Sequence, residues 1–176
     1  TLIAPMPSPT PRPTVTVAFV DVGQADAILI DYGATEVLID GGTSSSSTAL
    51  LSYLRGRVDG PLEAVVATHP DADHIGGLAA VLGEFSVPRI WFNGEEKTTN
   101  VYEGFMFAVQ SEQAITHTAR RADILSVGDL TFRVLSPVVL SGTTNENSVV
   151  LELDHGEIKF LFTGDAGADA EDSMLS

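Results

Sequence analysis

The order of apolar segments in this chain predicts a mixed α/β domain built in layers. Three observations carry that prediction. Three short runs rich in β-branched residues fall before position 43, helix and strand patterns alternate from about 48 to 112, and two hairpin patterns follow. With 176 residues, 44% of them hydrophobic and 19% charged, the chain has the material for one domain with a real core and does not read as disordered.

The first run, VTVAFVDV at 15–22, reads as a strand. A GQA turn leads to DAILIDYG at 26–33 and ATE leads to VLIDGG at 37–42; spacing this short predicts antiparallel hairpins. TSSSS then offers N-caps for a helix over roughly 48–57, on which Leu50, Leu51 and Leu54 form an apolar stripe. LEAVVATH is a short buried strand, and the two glycines followed by LAAVLGEF predict one helix over about 75–84. PRIWFN is a further strand, and TTNVYEGFMFAVQSE at 98–112 reads as a helix weakened by Gly104. DILSVGDLTFRVLSP and SVVLELDHGEIKFLFTGD pattern as hairpins turning at GD and DHG, with NENS at 145–148 opening the second. AGADAEDSMLS begins a last helix.

Composition narrows the function. Nine Lys and Arg against 24 Asp and Glu leave a formal net charge of −15, a surface that repels polyanions and carries no basic stripe. The absence of cysteine excludes disulfides, thiolate zinc sites and a cysteine nucleophile. No apolar run approaches the roughly 18 residues that cross a bilayer as a helix. Five of the nine prolines precede residue 14, alternating with Ser and Thr, so residues 1–14 are expected to be an extended linker or stalk ahead of a domain at 15–176. A stalk of this kind often follows a secretion signal or lipid anchor, so such a segment is expected upstream of Thr1, with the domain outside a bacterial cell or on its surface. A linker in a cytoplasmic protein is the alternative.

Chemistry concentrates in HPDADH at 69–74, which holds two of the four histidines and two aspartates directly after an apolar strand. Strand ends that lead into helices are common ligand sites in α/β proteins, and imidazole with carboxylate is a usual donor set for zinc, manganese and iron. A calcium EF-hand reading of DADHIGG fails, because Ile75 and Leu82 stand where the loop needs oxygen ligands. Three further strand-end features follow the same pattern: Asp40 in VLIDGG, the asparagines of TNENS, and Asp165 in FLFTGD. His117 in AITHTARR reads as a surface or loop residue, His155 as part of the DHG turn, and Arg55, Arg57, Arg120 and Arg121 as solvated charge.

Together and in this order, these motifs resemble the metallo-β-lactamase superfamily. They are most similar to the branch found in competence (DNA-internalisation) proteins of the ComEC type. DVGQADAILI, LIDGG, THPDADHIGG, NENSVVL and LFTGD stand where that branch shows its own versions, over about 17–167. The resemblance implies an α+β fold, an αββα sandwich with the metal site at one edge of two sheets. It implies one or two divalent ions, with His69 and Asp71 on the first, Asp73 and His74 on the second, and Asp165 bridging them. Asp40 is expected to orient the metal-binding loop, and Asn147, or secondarily Asn145, falls where the wider superfamily has a third histidine. Asp73 and Asp165 are the expected catalytic carboxylates, and the implied reaction is hydrolysis of a phosphodiester such as DNA by a metal-bound hydroxide.

Two departures from the superfamily pattern shape the expectation. Oxygen donors at Asp71 and Asn147 replace nitrogen, which favours manganese or magnesium over zinc. No histidine follows His155, so the last ligand of the family, with its final strands and helices, is expected beyond Ser176. The alternatives are a hydrolase of small phosphoesters, lactams or esters, and a non-catalytic metal-binding or interaction module on the same fold.

Overall fold

A computed structural model describes residues 14–175. The proline-rich stretch assigned to 1–14 lies, but for its last residue, outside the described residues. The elements are β1 (Val15–Phe19), β2 (Ile28–Tyr32), β3 (Glu36–Ile39), α1 (Ser47–Arg55), β4 (Ala64–Ala67), α2 (Ala72–Ile75), α3 (Leu78–Leu82) and β5 (Arg89–Phe92). They continue with α4 (Asn100–Glu112), β6 (Ile115–Thr118), β7 (Ile124–Val127), β8 (Leu130–Ser136), β9 (Val150–His155), β10 (Ile158–Phe162) and α5 (Ala168–Leu175). Single 3-10 turns occupy Ser44–Ser46 and Asn145–Asn147.

Two sheets face each other. The first runs β1-β2-β3-β4-β5-β6, antiparallel through β3 and parallel from β3 to β6; the second is the antiparallel set β10-β9-β8-β7. The strict alternation of side chains along a strand decides which core each residue joins. Leu29, Leu38, Val65 and Ile90 point to the helices α1, α3 and α4, with Leu50, Leu54 and Phe105 opposite them. Ile30, Val37, Ile39, Val66 and Trp91 point the other way, against Phe132, Val134, Leu151 and Leu153 of the second sheet. Strands β3 and β4 are therefore buried on both faces, which is why they read as continuous apolar runs without polar alternation. This is the layered α–β–β arrangement expected, with α5 packed against β8.

The structure corrects three local expectations. The helix anticipated over 75–84 is two short ones, α2 and α3, broken at Gly76–Gly77. The break is where two glycine pairs meet backbone to backbone: Gly77 N–H donates to the Gly42 carbonyl at 3.1 Å, and Gly41 N–H donates to the His74 carbonyl at 2.6 Å. A Cβ on Gly77 would lie 2.1 Å from the Gly41 oxygen, and one on Gly76 would lie 2.4 Å from the Ala72 oxygen. NENS does not open a strand; Asn145–Asn147 form a 3-10 turn, and β9 starts at Val150. Residues Ile115–Thr118 form edge strand β6 instead of a loop, with the His117 ring tilted against Trp91 at 4.0 Å between centroids.

Helix α4 forms despite Gly104 because its ends are well made. The Thr99 hydroxyl accepts from the Tyr102 N–H at 3.2 Å, and Gln113 closes the helix in the left-handed region at φ 59°. Two substitutions should therefore have opposite signs. Gly77→Ala forces a carbon into the Gly41 backbone and should destabilise by roughly 1–3 kcal/mol. Gly104→Ala, with open space around its Cβ, should stabilise by about 0.5–1 kcal/mol. Urea unfolding midpoints measure both, and a Gly77→Ala protein as stable as the parent contradicts the close-packed junction.

Candidate metal centre

The site gathers at one end of β3 and β4, where both strands stop and their loops turn over the sheet edge. Asp40, directly after β3, takes a left-handed backbone conformation at φ 57°, which aspartate tolerates better than most side chains. Its carboxylate is almost fully buried and is shared three ways. Oδ1 accepts the Thr68 backbone N–H at 2.8 Å, and Oδ2 accepts the Thr68 hydroxyl at 2.7 Å. Oδ2 also accepts from His74 Nδ1, 2.8 Å away. Asp40 thus ties the end of β3 to the end of β4 and to α2.

That arrangement sets both histidine rings. With Nδ1–H given to Asp40, His74 turns Nε2 outward, 3.4 Å from Asp165 Oδ1. The Thr68 hydroxyl spends its proton on Asp40, so its lone pair faces His69 Nδ1 at 3.1 Å, with the Ser148 hydroxyl at 3.3 Å. His69 therefore carries its proton on Nδ1 and presents Nε2 as a lone pair. Nε2 is buried and lacks a hydrogen-bond partner among the described residues. A buried unpaired acceptor is costly, and a ligand arriving at that atom removes the cost.

Ligand atoms of His69, His74 and Asp165 lie within 4.8 Å of one another, as do those of Asp26, Asp40 and His74. Asp71 Oδ2 stands 3.8 Å from His69 Nε2. Asp73 sits in the first turn of α2, where its charge acts on both His74 and Asp26, but neither group of three includes Asp71 or Asp73. Asp165 arrives on the turn after β10, which approaches Thr68 so closely that a Cβ on Gly164 would lie 2.9 Å from the Thr68 side chain. Of the two asparagines, Asn145 is the one on the site, its amide donating to Asp165 Oδ2 at 3.2 Å. Asn147 faces away: its carbonyl accepts from Ser141 N–H at 2.7 Å, and its amide donates to Glu95 Oε2 at 3.0 Å.

Asp26 is the cluster member that residue patterns did not single out. Its GQAD sequence reads as a tight turn that the family resemblance sets at the active-site edge, but nothing in the spacing reveals that its carboxylate comes to stand beside Asp40 and His74. The link is backbone: Asp26 N–H donates to the Asp73 carbonyl at 3.2 Å, and its own carbonyl accepts from Gly42 N–H at 2.8 Å. Thr68 and Ser148, which orient His69, are equally silent in the sequence.

Electrostatics separates the two histidines. Burial and the neighbouring positive charge of His74 push His69 below its ordinary 6.5, despite Asp40, Asp71 and Asp165. Burial also pulls His74 down, but the hydrogen bond and charge of Asp40, with Asp165 and Asp73, raise it to about 9. Burial pushes Asp26 up; His74 opposes this, and the carboxylates of Asp40, Asp165 and Asp73 add to it. His69, His74 and Asp165, with Asp71 3.8 Å from the unpaired Nε2, offer imidazole and carboxylate donors of the types that divalent cations take.

The model of the metallo-beta-lactamase superfamily matches residues 20–176. The chain belongs to that superfamily. Members are mostly metal-dependent hydrolases and typically bind divalent metals, usually zinc. Among curated proteins, this superfamily member is 29% identical to "ComE operon protein 3" of Bacillus subtilis over 91% of this chain and 23% of that protein. It is 31% identical to "Recombination protein 2" of Haemophilus influenzae over 86% of this chain and 18% of that protein. The chain thus spans less than a quarter of the length of either relative. Solved structures share the fold. The FEZ-1 metallo-beta-lactamase of Legionella gormanii aligns with TM-score 0.62 at 14% identity, over 98% of this chain and 75% of that one. The fold protein YhfI of Bacillus subtilis aligns with TM-score 0.56 at 20% identity, over 85% and 60%.

In the metal-free protein, His74 should titrate near pH 9 and His69 below its usual range, read by NMR of the ring carbons. The folded value of His74 lies above its unfolded one near 6.5. Its contribution to stability is therefore fully present below about pH 6.5 and lost as pH rises through about 9. Asp40→Asn should bring the His74 midpoint down, and an unmoved midpoint contradicts the pairing.

Proposed function

We propose that this domain is a metal-dependent hydrolase of phosphodiesters that serves DNA uptake. The observation that carries the reading is the buried, unpartnered Nε2 of His69, aimed at the point where His74 Nε2 and Asp165 converge. The similarity to the ComE operon protein supports the setting.

His69, His74 and Asp165 would hold a divalent ion, with Asp71 beside the first histidine and Asp26 grouped with Asp40 and His74. A bound divalent ion supplies Lewis acidity to a phosphoryl oxygen and lowers the pKa of water. The chain's own residues do the rest. Asp40 holds the His74 ring so that Nε2 faces outward, and Thr68 with Ser148 does the same for His69. Asn145 restrains Asp165 by donating to one carboxylate oxygen, leaving the other toward His74. We assign Asp73 to accept, on a carboxylate oxygen, the proton released as water attacks phosphorus and the P–O bond to the leaving alkoxide breaks, the alkoxide taking a proton from solvent. Manganese suits the carboxylate-rich donor set as well as zinc does.

Charge favours a small or end-on substrate for this domain acting alone. Four of the seven arginines are engaged within the protein. Arg55 forms a two-point pair with Glu84, and Arg57 lies 3.7 Å over the Tyr53 ring. Arg120 donates to the carbonyls of Asn93 and Ala119, and Arg121 to that of Ser173. A chain of net charge −15 with these four arginines so occupied does not grip a long polyanion.

His69→Ala and Asp165→Ala should each remove most bound manganese or zinc, measured by elemental analysis. They should also lower hydrolysis of bis(p-nitrophenyl) phosphate by the metal-loaded full-length protein on the order of a hundredfold or more. Metal binding without turnover of phosphodiester, phosphomonoester or lactam would identify a non-catalytic module instead.

A further inference from the structure

The NEN turn at Asn145–Asn147 has three consecutive side chains that each grip a different part of the molecule. Asn145 donates to Asp165. Glu146 Oε2 accepts from Ala170 N–H at 2.8 Å, satisfying a free donor in the first turn of α5. Asn147 is buried, with both ends of its amide committed, to Ser141 and to Glu95. The turn is thus held from three sides.

Its anchor on the first sheet is Glu95, in the loop after β5. Glu95 Oε2 takes the Asn147 amide at 3.0 Å, while Oε1 takes the Thr144 hydroxyl at 2.9 Å and the Lys97 ammonium at 3.1 Å. Lys97 also donates to the Thr144 hydroxyl. A parallel tie runs from the Asn93 amide to the Asn147 carbonyl at 3.0 Å. Burial raises the Glu95 pKa, but the hydrogen bonds from Asn147, Thr144 and Lys97 outweigh it and leave the group below its ordinary value. The carboxylate is therefore ionised at neutral pH and acts as a charged, multiply bonded acceptor. Bonds of that kind hold geometry better than neutral ones.

We propose that Glu95 is a positioning residue of the metal centre: by holding Asn147 and Thr144 it fixes the turn so that Asn145 keeps Asp165 aimed at His69 and His74. The proposal rests on the metal-binding reading of that cluster. It assigns to Asn147 a purely mechanical task, because neither end of its amide is free to reach an ion. Partners that hold a ligand in place commonly change metal affinity about 10–100-fold when removed.

The experiment is a calorimetric titration of the full-length protein with manganese alone, so that the readout is independent of any activity. Glu95→Ala should weaken binding about tenfold, and Glu95→Gln, which keeps an acceptor for Asn147, should recover most of the loss. Lys97→Met removes the ion pair and leaves the Asn147 bond, and should bind within about twofold of the parent. Asn145→Ala should weaken binding as Glu95→Ala does, and the double variant should bind no more weakly than Asn145→Ala alone, because one acts through the other. Thermal unfolding without metal shows whether each variant is folded; if Glu95→Ala is not, Glu95→Gln and Asn145→Ala carry the test. The proposal is overturned by a folded Glu95→Ala that binds like the parent, by losses that multiply in the double variant, or by Lys97→Met binding as weakly as Glu95→Ala. Absence of binding in the parent would instead overturn the metal-binding reading itself.

Discussion

The buried carboxylate of Asp40 is the constraint around which the site is built. A carboxylate with almost no exposure is tolerated only when its lone pairs are taken and a positive partner is near. Here the Thr68 N–H, the Thr68 hydroxyl and His74 Nδ1 take them. Those three bonds determine the direction of the His74 ring, the direction of the Thr68 hydroxyl, and through that hydroxyl the protonated nitrogen of His69. The two Nε2 atoms that face the candidate metal position are thus a consequence of one carboxylate, distant from both in sequence, that bonds His74 directly and reaches His69 through the Thr68 hydroxyl.

Asp40 reaches that place because backbone can approach backbone. The pairs Gly41–Gly42 and Gly76–Gly77 let the loop after β3 lie directly on the junction between α2 and α3. A longer continuous helix over the same residues would carry His74 away from the strand ends. The second sheet contributes by the same logic: Gly164 lets the Asp165 turn close onto Thr68, and the NEN turn holds it there. The candidate metal cluster is therefore assembled from four strand-end turns, each belonging to a strand that is packed in one core or both.

Surface charge sets the terms on which such a site works. A strongly acidic domain concentrates cations and discourages extended polyanions, which suits retention of a divalent ion better than unaided capture of DNA. The relatives are more than four times the length of the aligned region. The domain's own contribution is the pre-set geometry of its ligands.

Much of this architecture is legible in the sequence. Apolar runs with β-branched residues at Val37, Val65 and Val66, hairpin turns at GD and DHG, and the stripe of Leu50 and Leu54 locate most strands and two of the helices. Periodicity reports burial directly, and these elements are where burial decides. HPDADH stands out as candidate ligand chemistry by residue type and strand-end position, whereas Asp165 alone is ordinary turn chemistry and stands out only together with the other motifs in order. What only the tertiary structure decided depends on contacts between segments distant in the chain. The junction at Gly76–Gly77 lies so close to Gly41 that a side chain on Gly77 would meet its carbonyl oxygen. Asp26 joins the cluster through backbone bonds to residues 73 and 42, and Asn145 displaces Asn147 at the site because Glu95, some fifty residues away, claims the Asn147 amide. Local pattern determines which residues can form an element or bind an ion; long-range hydrogen bonds and close backbone packing determine which of them meet.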